Sequence, residues 1–338
     1  MIRLAFVVVF HLVATAPTLG AENPVLEGSI ERITSGSWTI TGFGSILELT
    51  EAGLSAEFHI DRIALAESGQ TFDDIRIACE VVSLTTRSVR CERAAFTATL
   101  PGLKRQTFPG TFTYDRYTSV TSIQLSDMSI ADGQARFDIR SSEAGFDVRF
   151  AGAKLQLGAL LELASLFSDT FSAYSGSGTA DVTGTLNVRS NGPSRVVVEA
   201  EIDEAALANN DGTIATDGVK GKLELDITFD TVTTIDRLVF DSDKGEAYME
   251  PVYASFSEHR FHLHAADVIT PDFEFFDVRH FTLQQESLLD ANGSMTLRFP
   301  ADEGAAVEIA AEVELRDASV NNLYTSLVQV QLAGTVLG

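Results

Sequence analysis

The sequence predicts an all-β fold, an antiparallel meander of strands accompanied by one short amphipathic helix. Apolar and polar residues alternate along most of the chain, and a period of two residues is typical of strands with one buried face. Turn-forming dipeptides recur among the alternating runs, which favours strands joined in succession by hairpins. By this pattern we expect about eighteen strands.

The run Lys222–Asp230 shows the alternation most clearly. Leu223, Leu225, Ile227 and Phe229 fall on one face, and charged or hydroxyl residues separate them. Such a strand has one apolar face and one face that water can solvate.

Five dipeptides of the hairpin type accompany these runs: Asp132-Gly133, Asp211-Gly212, Asp217-Gly218, Lys244-Gly245 and Asn292-Gly293. Glycine readily adopts the positive φ angles that tight turns require. We therefore expect these dipeptides to lie in turns between strands.

The segment 155–168 departs from the period of two. Its apolar residues form a broad helical stripe: Leu157, Leu160, Leu161, Leu163, Leu166 and Phe167. The pattern predicts a short amphipathic helix, which either caps the end of a sheet core or guards an apolar groove. The Gly/Ser-rich stretch 172–179 follows and is typical of a hinge. We expect four segments: a signal peptide at 1–21, a β segment at 22–154, the helix and hinge at 155–176, and a second β segment at 177–338.

The N-terminus has the features of a secretory signal peptide. Arg3 precedes an apolar run that ends before Pro17, and Gly20 and Ala21 are small residues suited to cleavage before Glu22. The apolar run is shorter than the ~20 residues that cross a bilayer. We expect export with cleavage; the alternative is an uncleaved anchor that tethers the chain to the inner membrane.

The net charge of −24 at pH 7 limits the partners of the protein. It argues against binding to nucleic acid and against electrostatic docking on anionic lipid headgroups. The acidic residues are interleaved with apolar ones, and 45% hydrophobic content is ample for a core, so disorder is a poor explanation.

Cys79 and Cys91 lie in two alternating runs on either side of a turn near Thr85 and Thr86. A hairpin with an odd-numbered loop would place residue 79 opposite residue 91, with the Cβ atoms in disulfide range. Together with export, this predicts a structural disulfide. The alternative is a redox-active pair, which usually has Cys-x-x-Cys spacing and a helix N-terminus.

Motifs of catalysis and cofactor binding are absent from the sequence. It contains no Gly-x-Ser-x-Gly elbow, Walker loop, dinucleotide fingerprint or His-Glu-x-x-His. His262 and His264 alternate onto one strand face and form a weak candidate for a metal site; the alternative is that both simply belong to the polar face. The segment 241–246 resembles half of a calcium loop but lacks the distal ligand. We expect a protein that is not an enzyme and has no cofactor.

Because so many strands are amphipathic, their apolar faces need a cover. Two sheets could cover each other as a sandwich, the sheet could close on itself, or the face could stay open as a trough that a ligand with apolar tails fills.

The helix 157–167 leads into Gly-Ser-Gly-Thr-Ala-Asp-Val-Thr-Gly-Thr-Leu at 176–186 and then into the glycine-punctuated strand 210–225. In this order of elements the chain resembles the AsmA-like superfamily, the repeating β-groove proteins related to TamB and YdbH. The resemblance implies a long, curved antiparallel sheet that forms an open groove with an apolar inner face. It also implies a periplasmic location in a diderm bacterium and a part in phospholipid transport between inner and outer membranes. Members of the family are commonly longer and membrane-anchored, and they are not enzymes.

Two functions stand as expectations. In the first, phospholipid acyl chains bind in a groove with the candidate lining Val196, Val198, Leu223, Leu225, Ile227 and Phe229. In the second, the same strands bury their apolar faces in a closed β core, and the protein is a periplasmic scaffold or assembly module. The run Ser326–Gly338 has an apolar, strand-like pattern. We expect it to form an edge at which a further β-groove segment or an envelope protein adds, so that the chain is the N-terminal part of a longer groove.

Overall fold

A computed structural model describes most of the chain, namely residues 24–34, 38–51, 53–65, 69–100, 103–166, 169–190, 192–249, 252–271, 275–298 and 308–319. The signal peptide, its cleavage point and the run Ser326–Gly338 lie outside these residues, so the corresponding expectations stay predictions. Among the described residues, no helix is long and apolar enough to cross a membrane.

The described residues form eighteen strands, one α-helix and one 3-10 helix. The strands before the helix are β1 Val25–Thr34, β2 Trp38–Thr50, β3 Gly53–Leu65, β4 Thr71–Leu84, β5 Ser88–Thr99, β6 Gln106–Asp115, β7 Val120–Ile130, β8 Gly133–Ser142 and β9 Gly145–Gln156. The helix α1 Leu157–Ser165 and the 3-10 helix η1 Asp169–Ala173 follow. The later strands are β10 Tyr174–Arg189, β11 Ser194–Asn209, β12 Ile214–Phe229, β13 Thr233–Met249, β14 Val252–Ser255, β15 Phe261–Thr270, β16 Phe275–Gln285, β17 Leu289–Arg298 and β18 Glu308–Ala318.

Strands that follow one another in the chain pair in antiparallel ladders. For example, β2 pairs with β3 from Trp38 opposite Leu65 to Thr50 opposite Gly53. β13 pairs with the short β14 and also with β15. The sheet is not closed. The prediction of an open, antiparallel all-β meander with one short helix is therefore confirmed.

Contacts divide the chain into two compact units. Unit 1 contains the described residues up to Ile130 together with Gln134–Arg149, and unit 2 contains Ala131–Gly133 and the described residues from Phe150 onwards. The Gly/Ser-rich stretch that we expected to form a hinge enters β10 at Tyr174. Its backbone is held in a ladder with β11, in which Gly176 lies opposite Leu207.

Unit 1 has an apolar face made of cross-strand rows. One row crosses six strands and consists of Leu47, Ala56, Cys79, Ala94, Gly110 and Leu125. Phe96 and Phe108 stack beside it with ring centroids 6.1 Å apart, and both are buried. The alternation of the sequence therefore places one coherent apolar surface on this unit.

Cys79 and Cys91 form a disulfide on this apolar face, with their Cα atoms 6.1 Å apart. The predicted register was wrong, because Cys79 lies opposite Ala94 and Cys91 lies opposite Val82. The turn occupies residues 85–87 and so extends one residue beyond the predicted Thr85 and Thr86. Each residue of β4 therefore pairs with a residue further along β5 than the prediction implied. The two cysteines nevertheless form a disulfide, and bulges accompany both of them. The register of β3 against β4 shifts beside Cys79, and the register of β5 against β6 shifts between Cys91 and Ala94.

A line of bulges crosses unit 2. Gly178 in β10, Glu204 in β11, Gly218 in β12 and Gly245 in β13 all have positive φ angles. These residues lie side by side, since a Cβ at Gly178 would come 2.5 Å from the Glu204 carbonyl oxygen. Bulges bend a strand and increase its twist, so the aligned bulges bend four neighbouring strands together.

Only two of the five dipeptides that we predicted to lie in turns are found at a turn. Asp211-Gly212 does lie between β11 and β12, and Asp132 lies in the turn before β8, which begins at Gly133. By contrast, Asp217-Gly218 and Lys244-Gly245 lie inside β12 and β13, and Asn292-Gly293 lies inside β17. A glycine with positive φ suits a bulge as well as a turn, and the dipeptide alone does not distinguish them.

Reducing the Cys79–Cys91 bond should lower the free energy of unfolding by about 3 kcal/mol, because the bond closes a loop between residues 12 positions apart. Chemical denaturation of the oxidised and the reduced chain measures the difference. The double variant Cys79→Ala/Cys91→Ala is the control and should not respond to reductant. Equal stability of the oxidised and reduced wild-type protein would contradict the prediction.

Gly245→Ala should destabilise the protein more than Gly218→Ala. Both glycines have positive φ, which costs a non-glycine residue about 1 kcal/mol. A Cβ at Gly245 would also lie 2.5 Å from the Val219 Cα, whereas one at Gly218 meets nothing within 4 Å. We expect the overpacking to add about 1–3 kcal/mol to the loss at position 245. Thermal unfolding of the two variants tests this, and equal losses would show that the bulges do not pack as described.

Candidate apolar binding face

Three neighbouring rows of side chains run across eight strands of unit 2. The first row is Leu186, Val196, Ile227, Ile235, Val268, Val278, Met295 and Ala311. The second is Gly184, Val198, Leu225, Leu238, Ala265, Phe281, Gly293 and Val313. The third is Val182, Ala200, Leu223, Phe240, Leu263, Leu283, Ala291 and Leu315. We call this surface the apolar face of unit 2.

The structure brings five of the six predicted lining residues together in these rows. Val196 lies opposite Ile227, Val198 lies opposite Leu225, and Leu223 occupies the third row. Phe229 lies at the margin, between Ser194 and Thr233 rather than between apolar neighbours. It therefore ends the apolar face instead of lying within it.

The sequence prediction missed the contributions of β13, β15 and β16. In these strands the apolar residues are three positions apart, because each strand carries an extra residue: Ile235 and Leu238, Ala265 and Val268, Val278 and Phe281. Among the inserted residues, Asp267 has a positive φ angle. A bulge shifts the side-chain period from two to three, which hides the strand pattern in the sequence.

The apolar face is only partly shielded from water. Val196, Val198, Leu223, Leu225 and Ile227 are all half-buried. By contrast, five residues of β13, β15 and β16 are buried and pack with side chains from neighbouring strands of the same sheet: Ile235, Ala265, Val268, Val278 and Phe281. The described side chains of this face therefore shield one another in a layer along the sheet. Such a layer leaves apolar area that a ligand can cover.

At one margin of this face, aromatic side chains pack on one another. Phe240, Phe256 and Phe261 cluster there, and the Phe256 and Phe261 ring centroids are 4.9 Å apart. Leu157 of α1 packs against the cluster formed by Ala205, Val219 and Phe256.

Glycines allow the helix to approach the sheet. A Cβ at Gly158 would come 2.6 Å from the Gly176 carbonyl oxygen, and a Cβ at Gly176 would come 3.1 Å from Leu161 Cδ1. The helix thus covers the strand ends beyond the bulge line. Its own apolar residues remain half-buried, and Leu166 at its end is exposed.

The opposite face of the same strands is polar and mostly acidic. One of its rows is Asp181, Glu201, Lys222, Asp241, His262, Gln284, Asp290 and Asp317. Ion pairs cross neighbouring strands, including Lys222 with Glu201 at 3.1 Å and Arg237 with Glu224 at 2.8 Å. The sheet of unit 2 is therefore amphipathic across its thickness.

A pair with two hydrogen bonds on the polar face joins Arg195 to Asp226. The Arg195 Nε donates to Asp226 Oδ1 at 2.7 Å, and Nη2 donates to Oδ2 in a second bond. The hydrogen bonds from Arg195 hold the pKa of Asp226 below its usual value, and partial burial of the carboxylate opposes this shift. Two parallel bonds to one carboxylate also fix the register of β11 against β12.

The weak metal candidate lies on the polar face. His262 Nδ1 lies 2.6 Å from Asp241 Oδ1, and His264 lies opposite Val239. Among the described residues, no three His, Cys, Asp or Glu side chains are grouped as metal ligands. The structure therefore gives His262 a carboxylate partner, and the polar-face interpretation accounts for both histidines.

Comparisons with known proteins add no relative: no protein-family model, curated protein or solved structure matches the chain.

Asp226→Asn should lower the free energy of unfolding at pH 7 by about 1 kcal/mol or less, as expected for a half-exposed pair. Because the folded state lowers the pKa of Asp226, its stabilisation is present above the unfolded pKa and is lost as the pH falls through the folded pKa. The wild-type and variant stabilities should therefore converge over the acidic range in which the pH falls from the unfolded pKa through the lower folded pKa. Denaturant titrations across that range measure the difference.

Asp203→Asn is the matched control, because its pair with Lys220 is exposed on both sides. It should cost less than Asp226→Asn at pH 7. A cost of Asp226→Asn that stays constant with pH would contradict the assignment.

Proposed function

We propose that the protein is a non-enzymatic, periplasmic lipid-binding protein that holds phospholipid acyl chains on the apolar face of unit 2. The observation that carries the proposal is a set of three continuous apolar rows that include the half-buried side chains of Val196, Val198, Leu223, Leu225 and Ile227. A ligand with apolar tails would cover the apolar area that these side chains leave exposed to water.

The dimensions of the face suit acyl chains. Eight strands at ~4.8 Å spacing extend over about 34 Å, and three rows at two residues apart span about 13 Å. One leaflet of acyl chains is about 15 Å thick, half of the hydrocarbon core. The face therefore has room for acyl chains lying across several strands.

The energy available is sufficient for binding. Burial of one methylene contributes about 0.8 kcal/mol, so eight buried methylenes supply about 6 kcal/mol before the cost of immobilising the lipid. Contact with water on the acidic face keeps the outside of the sheet solvated while the apolar face is occupied.

The resemblance to the AsmA-like superfamily gives this binding a context. In that context the chain is exported and takes part in moving phospholipid between the inner and outer membranes. The bound chains would then pass along the rows rather than remain in one closed pocket. No catalytic residue is required for such a role.

The direct test is lipid extraction and mass spectrometry of the protein purified without detergent, comparing wild type with Leu225→Trp. The larger side chain stays apolar at a half-buried position, so we expect the variant to fold. It fills space in the second row between Val198 and Leu238, so we expect the phospholipid recovered per protein to fall several-fold.

Thr282→Asp is the control for a change on the polar face, where Thr282 lies between His264 and Asn292. It should leave the lipid content unchanged. Purified wild-type protein that is folded and free of lipid would contradict the proposal and favour a closed scaffold, and so would equal lipid content in all three proteins.

A further inference from the structure

The strand β18 differs from every other described strand of unit 2 in its exposure. All residues from Glu308 to Asp317 are exposed. Ile309, Val313 and Leu315 are 56%, 50% and 58% exposed, although they point to the same side as the apolar rows. Of the described strands, only β17 pairs with β18.

The exposed apolar residues of β18 continue the apolar face. Val313 lies opposite Gly293 and ends the second row, and Leu315 lies opposite Ala291 and ends the third. An added strand with apolar residues at alternate positions would prolong these rows and cover the exposed side chains.

The other side of β18 is mainly acidic. Glu308, Glu312 and Glu314 are exposed there, and the exposed Arg316 follows them at the register shift between Asp290 and Ala291. Opposite charges on facing strands attract, whereas a second acidic strand would be repelled. A strand that adds here should therefore carry basic residues between its apolar ones.

The strand β1 of unit 1 lacks this pattern. In β1 the exposed apolar residues Val25 and Leu26 are consecutive, so they point to opposite sides. The same strand carries Glu27 and Glu31 on one side and Arg32 on the other. It therefore has no one-sided row of exposed apolar residues like that of β18.

We propose that β18 is a docking edge for a partner protein, which adds an extended strand that alternates apolar with basic residues. The backbone groups of β18 supply the ladder hydrogen bonds, the apolar residues extend the rows, and the three glutamates select basic side chains. This interaction goes beyond lipid binding and does not require it.

The test uses the full exported chain and a labelled synthetic peptide in which lysine alternates with valine, followed by fluorescence anisotropy at low salt. A peptide with glutamate in place of lysine is the control probe and should bind at least about tenfold more weakly. Hydrogen exchange should slow in residues 308–318 when the lysine peptide binds, and elsewhere it should not change.

Glu312→Lys changes the selecting charge at a position opposite Ser294. It should weaken binding of the lysine peptide several-fold and strengthen binding of the glutamate peptide. Asp211→Lys makes the same change in net charge in the turn between β11 and β12 and should alter neither affinity.

Three outcomes would overturn the proposal. These are equal binding of the two peptides, protection on β1 instead of β18, and slow exchange of the β18 amides in the free protein. The last result would mean that another segment of the chain or a second copy already covers the edge.

Discussion

The amphipathic strands of unit 2 need a cover for their apolar sides, and the rest of the structure depends on this constraint. A period of two sends Leu223, Leu225 and Ile227 to one side and Glu224 and Asp226 to the other. A sheet of such strands is stable only when its apolar side is covered. In unit 2 that cover comes from neighbouring side chains, from the helix at one margin and, by our proposal, from lipid.

Bulges determine how the strands meet this constraint. The aligned residues Gly178, Glu204, Gly218 and Gly245 bend four strands at one line without ending them. The extra residues near Asp236 and Asp267 keep the apolar residues of β13 and β15 on the same side despite their altered spacing. The sheet thereby stays continuous through strands of up to 17 residues. The bends give a long strand two differently oriented parts, one beneath the apolar rows and one beneath the helix.

The sequence predicted the features that depend on local patterns. It did not predict the features that depend on contacts between strands, namely the bulges and the register. Alternation identified the all-β fold and the residues of β11 and β12 that share the apolar rows, and the helical stripe identified α1. It did not identify the residues of β13, β15 and β16 in those rows, because bulges change their spacing. It also assigned Gly218 and Gly245 to turns, since a positive φ angle is common to turns and bulges. The register of Cys79 against Ala94 follows from a turn at residues 85–87, and bulges in the ladders with β3 and β6 accompany the two cysteines, which no local signal in the hairpin reveals.

The central claim is that one side of this sheet holds lipid and the other does not. The most direct measurement places a photocrosslinking amino acid at position 225 or at position 224, which are adjacent in β12 and lie on opposite faces. After illumination in cells, mass spectrometry identifies what has been attached. We predict phospholipid adducts at position 225 and none at position 224. Equal adducts at both positions, or attachment of position 225 only to protein, would contradict the account.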